Sequence, residues 1–339
     1  MSPDNNRFSH ILAVLFLLIA STGLWVQFND GGKPELTRLV HEGVDATWAD
    51  LRRVRVRTYD DGALGSDKDD TLERYKWAAK RGDAQSQYIL GVLYQNGKVV
   101  KKDSAKAALW FRKAADQGYA KAQNNLGIAY DKGDGVPQDY ARAIELFTKA
   151  ADQGYAGAQY NLGVSYEHGE GIAQDWAKAA SLYAKAAQQN NSQAQYNLGL
   201  LFKTGRGVTR NDARAAKYFL KASARGNLRA LNNLGIAYGK GEGVAQDFTK
   251  AAALFKKAAE RGYAKAQINY GIAHIKGEGV DRSSVLAHMW FSLAASQGNE
   301  DAIEMLARAE RRMQPASITE AEQLARDWTP RAKTLPARQ

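Results

Sequence analysis

The chain has 339 residues, 45% of them hydrophobic, with 31 glycines and 6 prolines. That balance excludes general disorder and points to helices punctuated by glycine turns. There is no cysteine, which excludes disulfides and thiolate metal sites, and the formal charge of +11 favours anionic partners.

Residues 1–10 precede an uncharged run from Ile11 to Phe28, ILAVLFLLIASTGLWVQF. As a helix it would span ~27 Å, close to a ~30 Å hydrocarbon core. Trp25 and Phe28 suit an interfacial aromatic belt, and Arg7 keeps the N-terminus inside. The expectation is a single-pass anchor in a bacterial inner membrane, with the rest of the chain in the periplasm. The alternatives are a signal sequence removed on export, for which Ala20-Ser21-Thr22 and Ser21-Thr22-Gly23 are poor cleavage sites, or a buried soluble helix.

Residues 29–70 read as a tether. Leu36, Leu39, Val40, Val44, Trp48 and Leu51 fit an amphipathic helix weakened by Gly43. Arg53 to Arg57 alternates like a strand, and Tyr59 to Asp70 reads as a linker rich in Asp and Gly.

Beyond it, Leu90-Gly91, Leu126-Gly127, Leu162-Gly163, Leu198-Gly199 and Leu234-Gly235 recur every 36 residues. Tyr270-Gly271 continues the series and Leu306-Ala307 closes it. Such a period marks a solenoid whose units bury their apolar faces against their neighbours. Six units follow: 82–117, 118–153, 154–189, 190–225, 226–261 and 262–297. In the second, Ala122, Leu126, Ala129 and Tyr130 form one helical stripe. Gly133-Asp134-Gly135 breaks that helix, and Asp139 is placed to cap the next. Its stripe is Ala143, Leu146, Phe147, Ala150 and Ala151, and Gly154 ends it. Equivalent caps are Asp103, Asp175, Asn211, Asp247 and Ser283. Residues 71–81 read as a lone second helix opening the array, 298–328 as a polar helical cap, and 329–339 as a tail. The expected fold is all-α, built from antiparallel helix pairs.

The repeated A-x-A-Q-x-x-L-G-x-x-Y, G-x-G-V-x-x-D and A-x-x-L-x-x-K-A-A resemble the Sel-one-like repeat, a relative of the tetratricopeptide repeat. The resemblance covers residues 71–328. It implies a right-handed α-solenoid whose first helices line a concave groove that binds protein. Val99, Asn190 and His274 depart from the motif, at two glycines and a tyrosine. Some cysteine-rich relatives are linked to β-lactam binding or hydrolysis; this chain lacks their cysteines and any serine motif, so a hydrolase is a remote alternative.

No enzyme and no cofactor are expected on other grounds either. His10, His41, His168, His274 and His288 fall at unrelated positions, without metal-ligand spacing. The G-x-G loops follow helices rather than strands and read as turns. The groove stripe of the second unit is Lys121, Asn124, Ile128 and Asp131. Its second member varies along the array, and Tyr88, Asn124, Tyr160, Tyr196 and Asn232 are the expected partner contacts. Unit 190–225 carries Lys203, Arg206, Arg210, Arg214, Lys217, Lys221 and Arg225 against one acid, Asp212, a net of +6. Arg229 and Lys265, on the first helices that follow, extend the charge and count with the groove. The sequence thus predicts a protein-binding scaffold of the cell envelope with a protein partner, an acidic segment among the candidates. A carbohydrate or peptidoglycan module is the alternative, and nucleic acid is not expected.

Overall fold

A computed structural model describes residues 25–28, 34–37 and 67–330. The chain divides into two units, Met1–Asp61 and Gly62–Gln339. In the first, β1 (Trp25–Phe28) pairs antiparallel with β2 (Pro34–Thr37), in a register running from Trp25 opposite Thr37 to Phe28 opposite Pro34. This corrects the expected helix over Ile11 to Phe28 at its last four residues and removes Leu36 from the amphipathic helix. The reason is local: Trp, Val and Phe favour a pleated strand, and Asn29-Asp30-Gly31-Gly32 is turn-forming sequence. Residues 11–24 and 38–66 lie outside the described residues. Among the described residues, no helix is long and apolar enough to cross a membrane.

The described residues of the second unit, 67–330, are helices joined by turns and loops. They open with α1 (Asp67–Lys80), so the last four residues assigned to the linker are instead the first turn of the opening helix, where Asp is a favoured residue. Six pairs follow: α2 (Ala84–Asn96) with α3 (Ser104–Asp116), α4 (Ala120–Lys132) with α5 (Tyr140–Asp152), and α6 (Ala156–His168) with α7 (Trp176–Gln188). Then come α8 (Ser192–Thr204) with α9 (Asp212–Ala224), α10 (Leu228–Lys240) with α11 (Phe248–Ala259), and α12 (Ala264–Lys276) with α13 (Ser284–Ala295). Both α14 (Glu300–Glu310) and α15 (Pro315–Asp327) pack on α13, and Trp328 meets Trp290 edge-on at 6.1 Å.

Each pair is closed by one contact. A Cβ on Gly91, Gly127, Gly163, Gly199, Gly235 or Gly271 would come within 2.7 Å of the ring of Phe111, Phe147, Tyr183, Phe219, Phe255 or Phe291 respectively. The ring presses against bare backbone, where an alanine methyl would meet it. The second helices start at side-chain caps: Asp103, Asp139, Asp175, Asn211, Asp247 and Ser283 each accept a backbone N–H three residues on, at 2.8–3.1 Å.

The loop glycines have a second purpose. A Cβ on Gly135, Gly171, Gly207, Gly243 or Gly279 would run into the first turn of the preceding unit's second helix. Val99 departs from this series: its φ is not positive, and it is 47% exposed. Asn190, which replaces a glycine, keeps the left-handed turn at φ 67°, as asparagine can.

Gly163→Ala tests the closing contact. Overpacking against Tyr183 costs ~1–3 kcal/mol, while the gain in helix propensity returns ~0.5–1 kcal/mol. We expect a lower urea midpoint; an unchanged or higher one would show that the ring yields.

Candidate functional site

First helices meet one another along a polar seam. Asn161 donates to Asn124 Oδ1 at 2.8 Å, and Asn269 does the same to Asn232, each pair spanning two successive units. At the same two positions, Asn197 lies near the Tyr160 hydroxyl and Asn233 near that of Tyr196, each pulling the hydroxyl pKa down. The seam uses up much of the expected contact stripe. Tyr88, Asn124 and Asn232 are 8%, 5% and 4% exposed. Tyr160 and Tyr196 are half-buried, with rings against Tyr183 and Phe219 at 5.8 and 6.0 Å. The sequence placed all five on open surface; the structure turns them toward the neighbouring unit and the paired helix. The donor asparagines, at 36-residue intervals beside the stripe, were the signal that pattern reading passed over.

Arg229 and Lys265 are exposed near the starts of α10 and α12. Burial raises the pKa of the Tyr160, Tyr196 and Tyr263 hydroxyls, and the Arg229 guanidinium pulls all three back. One cation thus reaches hydroxyls from α6, α8 and the residue before α12. First helices two units apart are in electrostatic reach across this face.

The basic unit lies elsewhere. Lys203 ends α8, Arg206 and Arg210 are in the loop, and Arg214, Lys217, Lys221 and Arg225 run along and just past α9. Lys203 pairs with Glu242 at 3.2 Å and Arg210 with Asp212 at 3.0 Å. Arg206 sits over Trp176 at 4.9 Å, Arg214 over Phe202 at 5.5 Å, and Lys221 over Tyr218 at 5.7 Å. A cation on an aromatic ring recurs in other units, as Lys106 on Tyr94, Arg142 on Tyr130, Lys178 on Tyr166 and Lys250 on Tyr238. In those four units the same cation also pairs with the capping aspartate. With Asn211 as cap, Arg214 has no such acid.

A buried glutamine ladder ties most units to the second helix before them, and it too changes here. Gln87, Gln123, Gln159 and Gln267 each donate to a carbonyl near the end of the preceding second helix. Each accepts in turn from a glutamine at the end of its own unit: Gln117, Gln153, Gln189 and Gln297, at 2.8–2.9 Å. Arg225 stands in that place in the fourth unit. Gln195 still donates to Ala187 O at 3.1 Å, but its Oε1 is buried without a partner. The fifth unit changes both members, to Leu231 and Arg261, and leaves no orphan.

Two other constellations invite a chemical reading. His288, 1% exposed, lies 3.3 Å from both Glu310 Oε1 and Ser292 Oγ. Both ring nitrogens of His288 are thus satisfied from within the fold, by Ser292 on α13 and by Glu310 at the end of α14. A cavity of about 130 Å³ between α4 and α6 is lined by Asp131, Asn161, Ser165 and Glu170 among others. Ligand pockets usually measure ~300–1,000 Å³. Burial and the nearby Glu170 raise the pKa of Asp131. Among the described residues no group of His, Asp and Glu is arranged to hold a metal ion.

A family model for the Sel1 repeat matches residues 84–119, 120–155, 156–191, 192–227, 228–263 and 264–299. The chain belongs to the Sel1 repeat family. Two solved structures are similar to it. One, described as a protective antigen present in uropathogenic Escherichia coli strains with an SLR fold, is 34% identical with a TM-score of 0.67, over 76% of this chain and 56% of that one. The chain therefore spans little more than half the length of that antigen. The other, a Sel1 repeat protein from Oxalobacter formigenes, is 27% identical with a TM-score of 0.59, over 68% of this chain and 97% of that one. No curated protein matches. Sel1 repeat proteins are generally protein-interaction scaffolds, and those of this fold are typically non-catalytic.

Two variants test this reading of the Sel1 units. Arg225→Gln restores the ladder and should stabilise the protein by ~1 kcal/mol, read as a higher urea midpoint; no gain would mean that Gln195 Oε1 is not orphaned in solution. Because folding raises the Asp131 pKa, it penalises the ionised form, and the penalty fades as pH falls through that raised value. Asp131→Asn should therefore raise the midpoint at pH 7, with the gain shrinking on acidification. A gain independent of pH would assign it to something other than charge.

Proposed function

We propose that this Sel1 array is a non-enzymatic scaffold of the bacterial cell envelope that holds a segment of a partner protein on its first-helix face. The observation that carries the reading is Arg229, an exposed cation whose charge lowers the pKa of tyrosine hydroxyls from three other units. Lys265 adds a second exposed cation one unit on. Such a face suits an acidic segment by charge. Tyr160 and Tyr196 already pack their rings against Tyr183 and Phe219, which leaves less of them for stacking on sugars and favours protein over envelope polysaccharide. An envelope location is supported by the apolar run beginning at Ile11 and by the likeness to a protective antigen. Both anchored and released forms agree with it, and mass spectrometry of the mature N-terminus separates them.

The test is kinetic. A partner captured by crosslinking from solubilised envelope, then purified, should bind the full chain. Arg229→Gln should speed its dissociation ~10-fold without lowering the melting temperature, because the side chain is exposed. Tyr196→Ala should speed dissociation and also lower stability, since its ring packs on Phe219. Unchanged rates in both variants would move the binding site off this face; binding to purified cell-wall polymer alone would replace the protein-scaffold reading.

A further inference from the structure

We propose that the outer face of α9 in the fourth unit is a second docking surface, separate from the first-helix face, for an acidic peptide segment that carries an apolar residue. Its first support is that this unit departs from two patterns, the glutamine ladder and the capping aspartate, that four of the other five units each keep, and both departures add net positive charge. Arg225 replaces the ladder glutamine although Gln195 is retained, so a buried acceptor loses its partner. The fifth unit shows that the ladder can be removed cleanly, by changing both members at once. Asn211 replaces the capping aspartate while keeping the cap itself, accepting from Arg214 N at 2.8 Å. The helix start is preserved, and what disappears is the carboxylate that pairs with this cation elsewhere. Departures from local structural rules that cost stability without a packing gain mark functional positions.

The charges are also held in place. Arg206, Arg214 and Lys221 lie on the rings of Trp176, Phe202 and Tyr218, and the last two rings stack at 5.7 Å and 6°. Cations propped on aromatic faces lose less freedom when they bind, and a planar guanidinium matches a carboxylate. Along α9, Arg214, Lys217 and Lys221 form one exposed helical stripe, and Leu220, 54% exposed, borders it one turn from Lys217. This leucine selects among anions. A polyphosphate or nucleic acid backbone has no use for it, whereas a peptide with acidic and apolar side chains meets both features. With Trp176, Phe202 and Tyr218 covered by cations, the face offers no platform for sugar rings.

The probe is a capped fluorescent peptide of glutamates with one central leucine, titrated into the full chain by polarisation near physiological ionic strength. Long sodium polyphosphate and phosphatidylglycerol vesicles are the competitors. The double variant Lys217→Glu, Lys221→Glu should weaken peptide binding ~10-fold or more. Leu220→Gln should weaken it several-fold, and replacing the leucine in the peptide by glutamine should have the same effect. Arg225→Gln should weaken binding while raising stability, a pairing that a purely structural role cannot produce. Lys149→Glu, the equivalent of Lys221 in the second unit, is the charge control and should leave peptide binding unchanged, whereas Arg229→Gln is read on the captured partner, so that loss of this surface and loss of the groove reading show up separately. The inference is overturned if the peptide does not bind, if the α9 reversals leave its affinity intact, or if polyphosphate or vesicles bind more tightly and ignore Leu220→Gln.

Discussion

An aromatic ring pressed against a glycine is the contact on which the array depends. In each of the six pairs the first helix gives up a side chain so that the ring of the second can lie on its backbone. This sets the distance between the paired helices, and everything else in the unit is measured from it. The alanine stripes of the second helices, nearly all buried, are small because the helices are already close. A glycine in mid-helix costs ~0.5–1 kcal/mol against alanine. Burial of a whole ring at each site more than offsets that.

The units are joined by a different set of interactions, all between nearest neighbours. Loop glycines let each turn settle on the preceding second helix, glutamines reach back to the preceding helix end, and asparagines bind across adjacent first helices. None of these bonds needs the array as a whole. That is the physical meaning of a repeat: stability is assembled from local pairs and local joints. It also explains how one unit can change its surface charge while its neighbours keep their geometry.

Much of this was legible in the sequence. The Leu-Gly spacing fixed the phase of the helix pairs, and the six capping positions are where the pattern put them, because caps and glycine turns are set by local chemistry. The partner contacts were less legible. Periodicity placed Tyr88, Asn124 and Asn232 on one helical face, but it could not show that the same face meets the next unit, which is a matter of joint geometry. The role of Arg225 was equally hidden. As a letter it is one more basic residue; its meaning comes from Gln195, thirty positions away, and from a bond visible only in three dimensions. At the N-terminal end, hydropathy read the run from Ile11 to Phe28 as one helix, and the strand at Trp25–Phe28 shows that apolar length alone does not choose between helix and sheet.

The interrupted glutamine ladder also bears on how the array yields to force. Elements joined in series carry one tension but not one strain, and the softest joint takes the largest share of any stretch. At the boundary of the fourth and fifth units, Leu231 cannot make the backward bond that Gln87, Gln123, Gln159, Gln195 and Gln267 make at theirs. Just before it, Gln195 has lost its forward partner. Asn227 to Ser192 O bridges the gap at 3.4 Å, nearer the surface, while Arg261 to Gly226 O at 3.2 Å stays within the fifth unit. A pull between the two ends therefore concentrates its extension at this boundary, and the units on either side travel as stiff blocks about a built-in compliance.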